Sequence, residues 1–222
     1  MALNKLKFNS LNVTPTAGKT IGFNSSADGL EATLSGGSMT FISKTTISSA
    51  VSSVQFTSGI DSTYKEYIFH LVNLHPNSSS EPDMRINFSI DGGSNYNVTK
   101  TSTSFYARHS ETDSYASLQY DASTDLAQST SGQYIGFNQE PSDNESSLSG
   151  FVHLFNPSST TFVKHYMINI NQMHDNPASD NYFIAGYCNT TSAINAVNFR
   201  GEYWEGQSGT IDAGTIILYG IN

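Results

Sequence analysis

Few residues in this 222-residue chain stand at spacings that could do chemistry. Within "INFSIDGGSNYNVT", residues 86–99, Asp91 is followed by Gly92 and Gly93, preceded by Ser89 and trailed by Tyr96. A carboxylate so placed can act on a bound substrate or can cap its own turn by accepting backbone hydrogen bonds. His70, His75, His109, His153, His165 and His174 include no pair at i, i+2 or i, i+4, and no His-Glu-x-x-His occurs, so local metal-ligand spacing is absent. The single cysteine, Cys188, lies in the strand-like run "YFIAGYCN" and reads as a buried, inert thiol. No Gly-x-Ser-x-Gly elbow and no phosphate-cradling Gly-x-x-x-x-Gly-Lys-Ser/Thr is present. No metal, no cofactor and no catalytic residue is expected.

The Ser89, Asp91, Gly93, Tyr96 spacing is similar to the Asp-box, S-x-D-x-G-x-x-W, of sialidases, with Tyr in place of Trp. In those propellers the motif recurs from blade to blade, whereas this chain has one copy and no internal period of that kind. Physically, Arg85 to Ile90 alternates, Asp91-Gly92-Gly93 tolerates positive φ, and Tyr96 to Val98 reads as the start of a returning strand. The expectation is a structural hairpin with its turn at Asp91, Gly92 and Gly93. A glycan-cleaving enzyme is the weakest of the functional readings.

Charge points to a second region. Between Arg108 and Lys164 there is no Lys or Arg, yet Glu111, Asp113, Asp121, Asp125, Glu140, Asp143 and Glu145 fall there, interleaved with Tyr115, Tyr120 and Tyr134. Solvated loops explain such a segment. A sharper reading makes Tyr115, Tyr120, Asp121 and Tyr134 ligand-facing, the rings stacking on sugars and the carboxylates accepting from hydroxyls, with calcium as an open question. The formal net charge of −9 disfavours nucleic acid and anionic membrane surfaces.

The elements that must position these groups are strands. Only 13% of residues are charged, Ser, Thr and Asn are abundant, and no window sustains helical apolar spacing. Strands are expected near 39–44, 51–57, 65–74, 84–90, 95–100, 103–108, 116–120, 132–138, 148–155, 161–171, 181–188, 194–200 and 214–221. The fold class is all-β, a jelly-roll-like antiparallel β-sandwich over residues 36–222, preceded by an extended arm over residues 1–35. No apolar run long enough for a signal-peptide core or a spanning helix is seen, so synthesis in a cytoplasm without membrane insertion is expected.

Two strands read as apolar on both faces. In "EYIFHLVNL" Ile68, His70, Val72 and Leu74 share one face while Tyr67, Phe69 and Leu71 share the other; in "SGFVHLFNP" Phe151, His153 and Phe155 oppose Val152 and Leu154. A sandwich wets one face of each sheet, so such strands call for cover by another subunit or by the arm. Ile68, His70 and Val72 are the candidate interface, and a homo-oligomer, taken as a trimer, is expected.

"FTSGIDSTYKEYIFHLVNLHP", "INFSIDGGSNYN", "LFNPSSTTFVKH", "AGYCNTTSAINAVNF" and the closing "GTIILYGIN" together resemble a family of virion structural proteins of tailed bacteriophages, particularly those of marine bacteria and cyanobacteria. The resemblance covers most of residues 38–222, and "LKFNSLNVTPTAGKTIGFNS" resembles the opening of such proteins. It implies a non-enzymatic β-sandwich module on the particle surface, in a tail fibre, a tail appendage or a capsid decoration. Its partners would be copies of itself, other virion proteins through the amino-terminal arm, and a host-surface glycan; an alternative is a dedicated glycan-binding receptor module. If the arm serves assembly alone, deleting residues 1–35 leaves a β-domain that still melts in one cooperative transition. Loss of that transition would make the arm part of the core.

Overall fold

The computed structural model describes residues 19–23, 26, 28–34, 39–77, 83–137, 146–174, 176–202 and 209–221. The chain divides into two units, residues 1–38 and 39–222. In the first, β1 (Lys19–Phe23) and β2 (Leu30–Leu34) form an antiparallel two-stranded ladder. Residues 1–18 and 35–38, which include most of the expected arm, lie outside the described residues.

The second unit is all-β among the described residues: two antiparallel sheets packed together as a sandwich. Its strands are β3 (Met39–Ile47), β4 (Ser53–Phe56), β5 (Glu66–Asn77), β6 (Asp83–Ser89), β7 (Lys100–Ser110), β8 (Ala116–Tyr120), β9 (Gln133–Gly136), β10 (Leu148–Phe155), β11 (Lys164–His174), β12 (Ala178–Cys188), β13 (Ala196–Glu202) and β14 (Thr210–Ile221). The larger sheet has eight strands in the order β3-β14-β5-β10-β11-β12-β7-β8, and the smaller has four in the order β4-β13-β6-β9.

Aromatic rings join the layers. Phe69 on β5 meets Phe56 on β4 and Phe199 on β13 edge-on, each at 5.3 Å between centroids. Further along, Phe88 on β6 packs against Tyr166 on β11 at 5.3 Å, and the Tyr166 hydroxyl donates to Oε1 of Gln133 on β9 at 3.0 Å. All four of these rings other than Phe56 are fully buried or nearly so, along with Leu71, Leu74, Val152, Leu154, Ile168 and Ile170. The smaller sheet therefore covers the larger through β5, β10 and β11. Beyond β8, residues 121–129 continue along the free edge of β7, where the Ser102 N–H donates to the Leu126 carbonyl and the Lys100 and Ser129 backbones exchange two bonds. This pairing closes most of an edge that would otherwise invite another strand.

Two expectations are corrected here. Residues 95–99 are not a strand, and β6 pairs with β13 and β9 instead of returning on itself. The Asp91 segment is thus a crossover from the smaller sheet to β7 of the larger, because the apolar set Met84, Ile86 and Phe88 must face the larger sheet while β7 must join it. Leu74 lies with Tyr67, Phe69 and Leu71 on the inner face, not with Ile68 and His70. Asn73 adopts φ 46°, an irregularity matched by register shifts in β10 and β14, and the inserted residue turns Leu74 inward.

Replacing Phe199 by Ala removes the ring that touches both Phe69 and Phe56 and should cost about 3–5 kcal/mol in urea unfolding. Replacing the exposed Phe162 by Ala should change stability by no more than ~0.5 kcal/mol. Equal effects at both positions would contradict this account of the core.

Candidate functional site

Strands β7, β10, β11 and β12 contain four ionised residues, Lys100, Arg108, Lys164 and Asp180. Strand alternation and ladder register put all four on the inward-facing set, with Ser102, Ser104, Tyr106, Tyr166, Ile168, Tyr182 and Ile184. Asp180 is fully buried and accepts from Arg108 Nε and Nη2 at 2.6 Å each, and the guanidinium also lies over the Tyr106 ring at 4.8 Å. That fork keeps Arg108 protonated.

Lys100 and Lys164 flank Cys188 directly across the two ladders, and all three are fully buried. Lys100 Nζ donates to Asn87 Oδ1 and to the Val98 carbonyl, both at 2.7 Å, and so ties β7 to β6 of the other sheet. Lys164 Nζ donates to the Thr190 carbonyl at 3.1 Å. Burial lowers the Lys100 amine to about 8, and burial raises the Cys188 thiol to about 12, leaving it a neutral thiol at physiological pH.

With the ions turned inward, the outward positions of these four strands hold no Asp, Glu, Lys or Arg. They hold rings instead. Phe105 on β7 and Phe183 on β12 stack at 5.2 Å with 10° between planes. Phe151, His153 and Phe155 run along β10, at 5.2 Å and 6.0 Å between successive centroids. His153 also contacts the Glu66 carboxylate on β5 through Nδ1. Between the two sets of rings, with Met167 beside them and Thr103, Asn169 and Ala185 on the floor, lies an open concavity of about 540 Å³.

The aromatic face extends across β5 to β14 and β3. His70 packs against Phe151 at 6.2 Å and Tyr219 at 5.4 Å, and Phe41 meets Tyr219 at 6.1 Å. Of the residues expected at an interface, Ile68 is buried beneath these neighbours, His70 is half-buried and Val72 is exposed, all on this outer face. Sequence alternation had marked β5 and β10; the contributions of β7, β11 and β12 were missed, because each carries only one or two large apolar side chains outward and the face forms only when the strands are laid side by side.

The expected ligand-facing residues are not brought together. Tyr115 and Tyr120 are exposed near opposite ends of the β8 segment, and Tyr120 donates to Asp125 while Asp121 accepts from Ser123 at 3.0 Å. Tyr134 is half-buried on β9 in the smaller sheet, under the Arg85 guanidinium at 4.0 Å, with its hydroxyl accepting from Arg85 Nη2 at 2.6 Å. Glu140, Asp143 and Glu145 lie outside the described residues. Among the described residues no group of three or more His, Cys, Asp or Glu could hold a metal ion.

At the crossover, Asp91 Oδ1 accepts from Ser89 Oγ at 2.7 Å and from the Asn95 N–H at 2.9 Å, and Oδ2 accepts from Asn95 Nδ2 at 2.7 Å. Gly92 and Gly93 have φ of 71° and 92°, and a Cβ on Gly93 would stand 2.8 Å from Tyr96 Oη. These donors, led by Asn95, lower the Asp91 carboxyl to about 2. A carboxylate held ionised by its own turn is poorly placed to give up a proton near neutrality.

Comparison of the chain with protein-family models, with curated proteins and with solved structures returns no match in any of the three.

The buried amine makes a prediction about pH. Folded Lys100 releases its proton near pH 8, whereas an unfolded lysine holds it to ~10.4, so the unfolded chain binds more protons between those values. This group's contribution therefore makes stability rise with pH from about 8 toward 10. Relative to wild type, Lys100→Met should lack that increment in urea midpoints taken at pH 7.5 and 9.5. Parallel pH profiles for the two proteins would contradict the assignment.

Proposed function

We propose that this chain is a non-enzymatic structural module of a bacteriophage virion, displayed on the particle surface, that assembles with copies of itself through the outer face of its eight-stranded sheet. The observation that carries the reading is the segregation of charge: in a chain of net charge −9, four adjacent strands present aromatic rings outward and no Asp, Glu, Lys or Arg. A face of that composition loses little on leaving water and gains on apolar contact. The virion setting rests on the sequence resemblance, which also supports a jelly-roll-like winding and a role for the amino-terminal arm in joining other virion proteins.

A host-surface glycan contact at Tyr115 and Tyr120 is the second reading, favoured by the exposure of both rings beside Asp113 and Asp125. The outer sheet face suits a sugar less well, since its concavity is walled by Phe and Met and offers few groups to pair with hydroxyls.

Sedimentation of the purified chain over a wide concentration range should show reversible association, and Phe183→Asp should shift it at least tenfold to higher concentration while the melting temperature stays close to wild type. Association that is untouched by Phe183→Asp and by Met167→Lys would remove the outer face from the account. Tyr120→Ala should leave association intact if that ring serves a glycan alone.

A further inference from the structure

The outer face is shaped as well as apolar. β8 pairs with β7 so that Tyr120 stands opposite Phe105 and Leu118 opposite Ala107, which places both side chains on the aromatic face. They project at its margin, Leu118 72% and Tyr120 56% exposed. The concavity lies inward from this ridge, centred over β11 and β12. At the ~4.8 Å spacing of neighbouring strands, ridge and groove are roughly 12 Å apart, and the Phe105–Phe183 stack sits between them.

From this arrangement we infer that two copies meet face to face about a two-fold axis at the Phe105–Phe183 stack, the Leu118–Tyr120 ridge of each seated in the groove of the other. A ridge and a groove on one face, placed symmetrically about a point, form a self-complementary surface, which is what an isologous contact requires. This inference rests on the assembly reading above and specifies its partner and geometry.

Two further observations support a second copy as the partner. Like-charge repulsion opposes self-association wherever the chain's carboxylates lie; the outward positions of β7, β10, β11 and β12 carry none, and Glu66 and Asp125 stand at the margins, held by His153 and Tyr120. The area also suffices. With ~200 Å² for a large side chain, the exposed parts of Leu118, Tyr120, Met167, Phe105, Phe183 and Phe151 amount to roughly 600 Å². Thr103, Asn169 and Ala185 between them bring the face toward the ~800 Å² per partner of a stable interface. An isologous contact closes at two copies, so the assembly unit is a dimer where sequence alone suggests three.

The test uses the full chain. Leu118→Asp removes the ridge and Ala185→Trp fills the groove; each should raise the concentration for half-association at least tenfold with little change in melting temperature. Under mild oxidation Phe183→Cys, and independently Phe105→Cys, should cross-link to covalent dimers, the native Cys188 being buried. Leu118→Cys should not link to itself but should link to Ala185→Cys when the two proteins are mixed. If Met167→Lys abolishes association while Leu118→Asp and Ala185→Trp do not, or if covalent trimers form, the two-fold ridge-in-groove contact is wrong and the face remains an interface. If none of the three substitutions alters association, the assembly reading fails with it.

Discussion

The placement of four ions on one side of a sheet constrains everything else in this molecule. Lys100, Arg108, Lys164 and Asp180 fall at alternate positions that the ladders turn inward, where Asp180 answers Arg108 and carbonyl and amide oxygens answer the two lysines. A buried charge left unpaired would cost several kcal/mol, so these partners fix the register of β7, β11 and β12 as firmly as the apolar core does. A slip of one residue would carry every ion to the surface and every outer ring into the core.

That inversion has a consequence for the outside. An ordinary sandwich wets the outer face of its sheets with charged and polar groups; here the Lys, Arg and Asp side chains of β7, β11 and β12 are spent on the inner side, and Phe105, Phe151, Met167 and Phe183 meet solvent among Thr and Asn side chains. The smaller sheet packs on the inner side of the larger one, against β5 and β11, through the Phe56, Phe69, Phe199 and Phe88, Tyr166 contacts. An aromatic face built on hydrogen-bonded strands loses less conformational entropy on docking than an adaptable loop, which suits a building module.

Much of the fold was legible in the alternation of single strands. β8 and β10 fall at the expected residues, and the doubly apolar runs in β5 and β10 pointed to a face needing cover. What alternation could not reveal was topology. The glycine-rich turn at Asp91 has the local chemistry of a hairpin, yet β6 already has β13 and β9 as neighbours, so the chain after Gly93 crosses to the other sheet. Likewise, Asn73 is a residue type that tolerates positive φ, but inside an apolar run it gave no sign of the irregularity that turns Leu74 inward. The acidic, tyrosine-bearing segment reads as one region in sequence, but Tyr134 belongs to the smaller sheet, paired with Arg85, while Tyr120 belongs to the larger. Proximity along the chain was a poor guide where strands change sheets.

The central claim is that the aromatic outer face is covered when copies of the chain associate. Hydroxyl-radical footprinting read at single side chains tests it directly. Met167, on that face, and Phe162, on the loop between β10 and β11, are both well exposed, at 55% and 68%. Raising the protein concentration through the association range should sharply slow oxidation of Met167 and leave the rate at Phe162 unchanged. Oxidation of Met167 that stays constant across that range, in a sample shown to associate, would contradict the account.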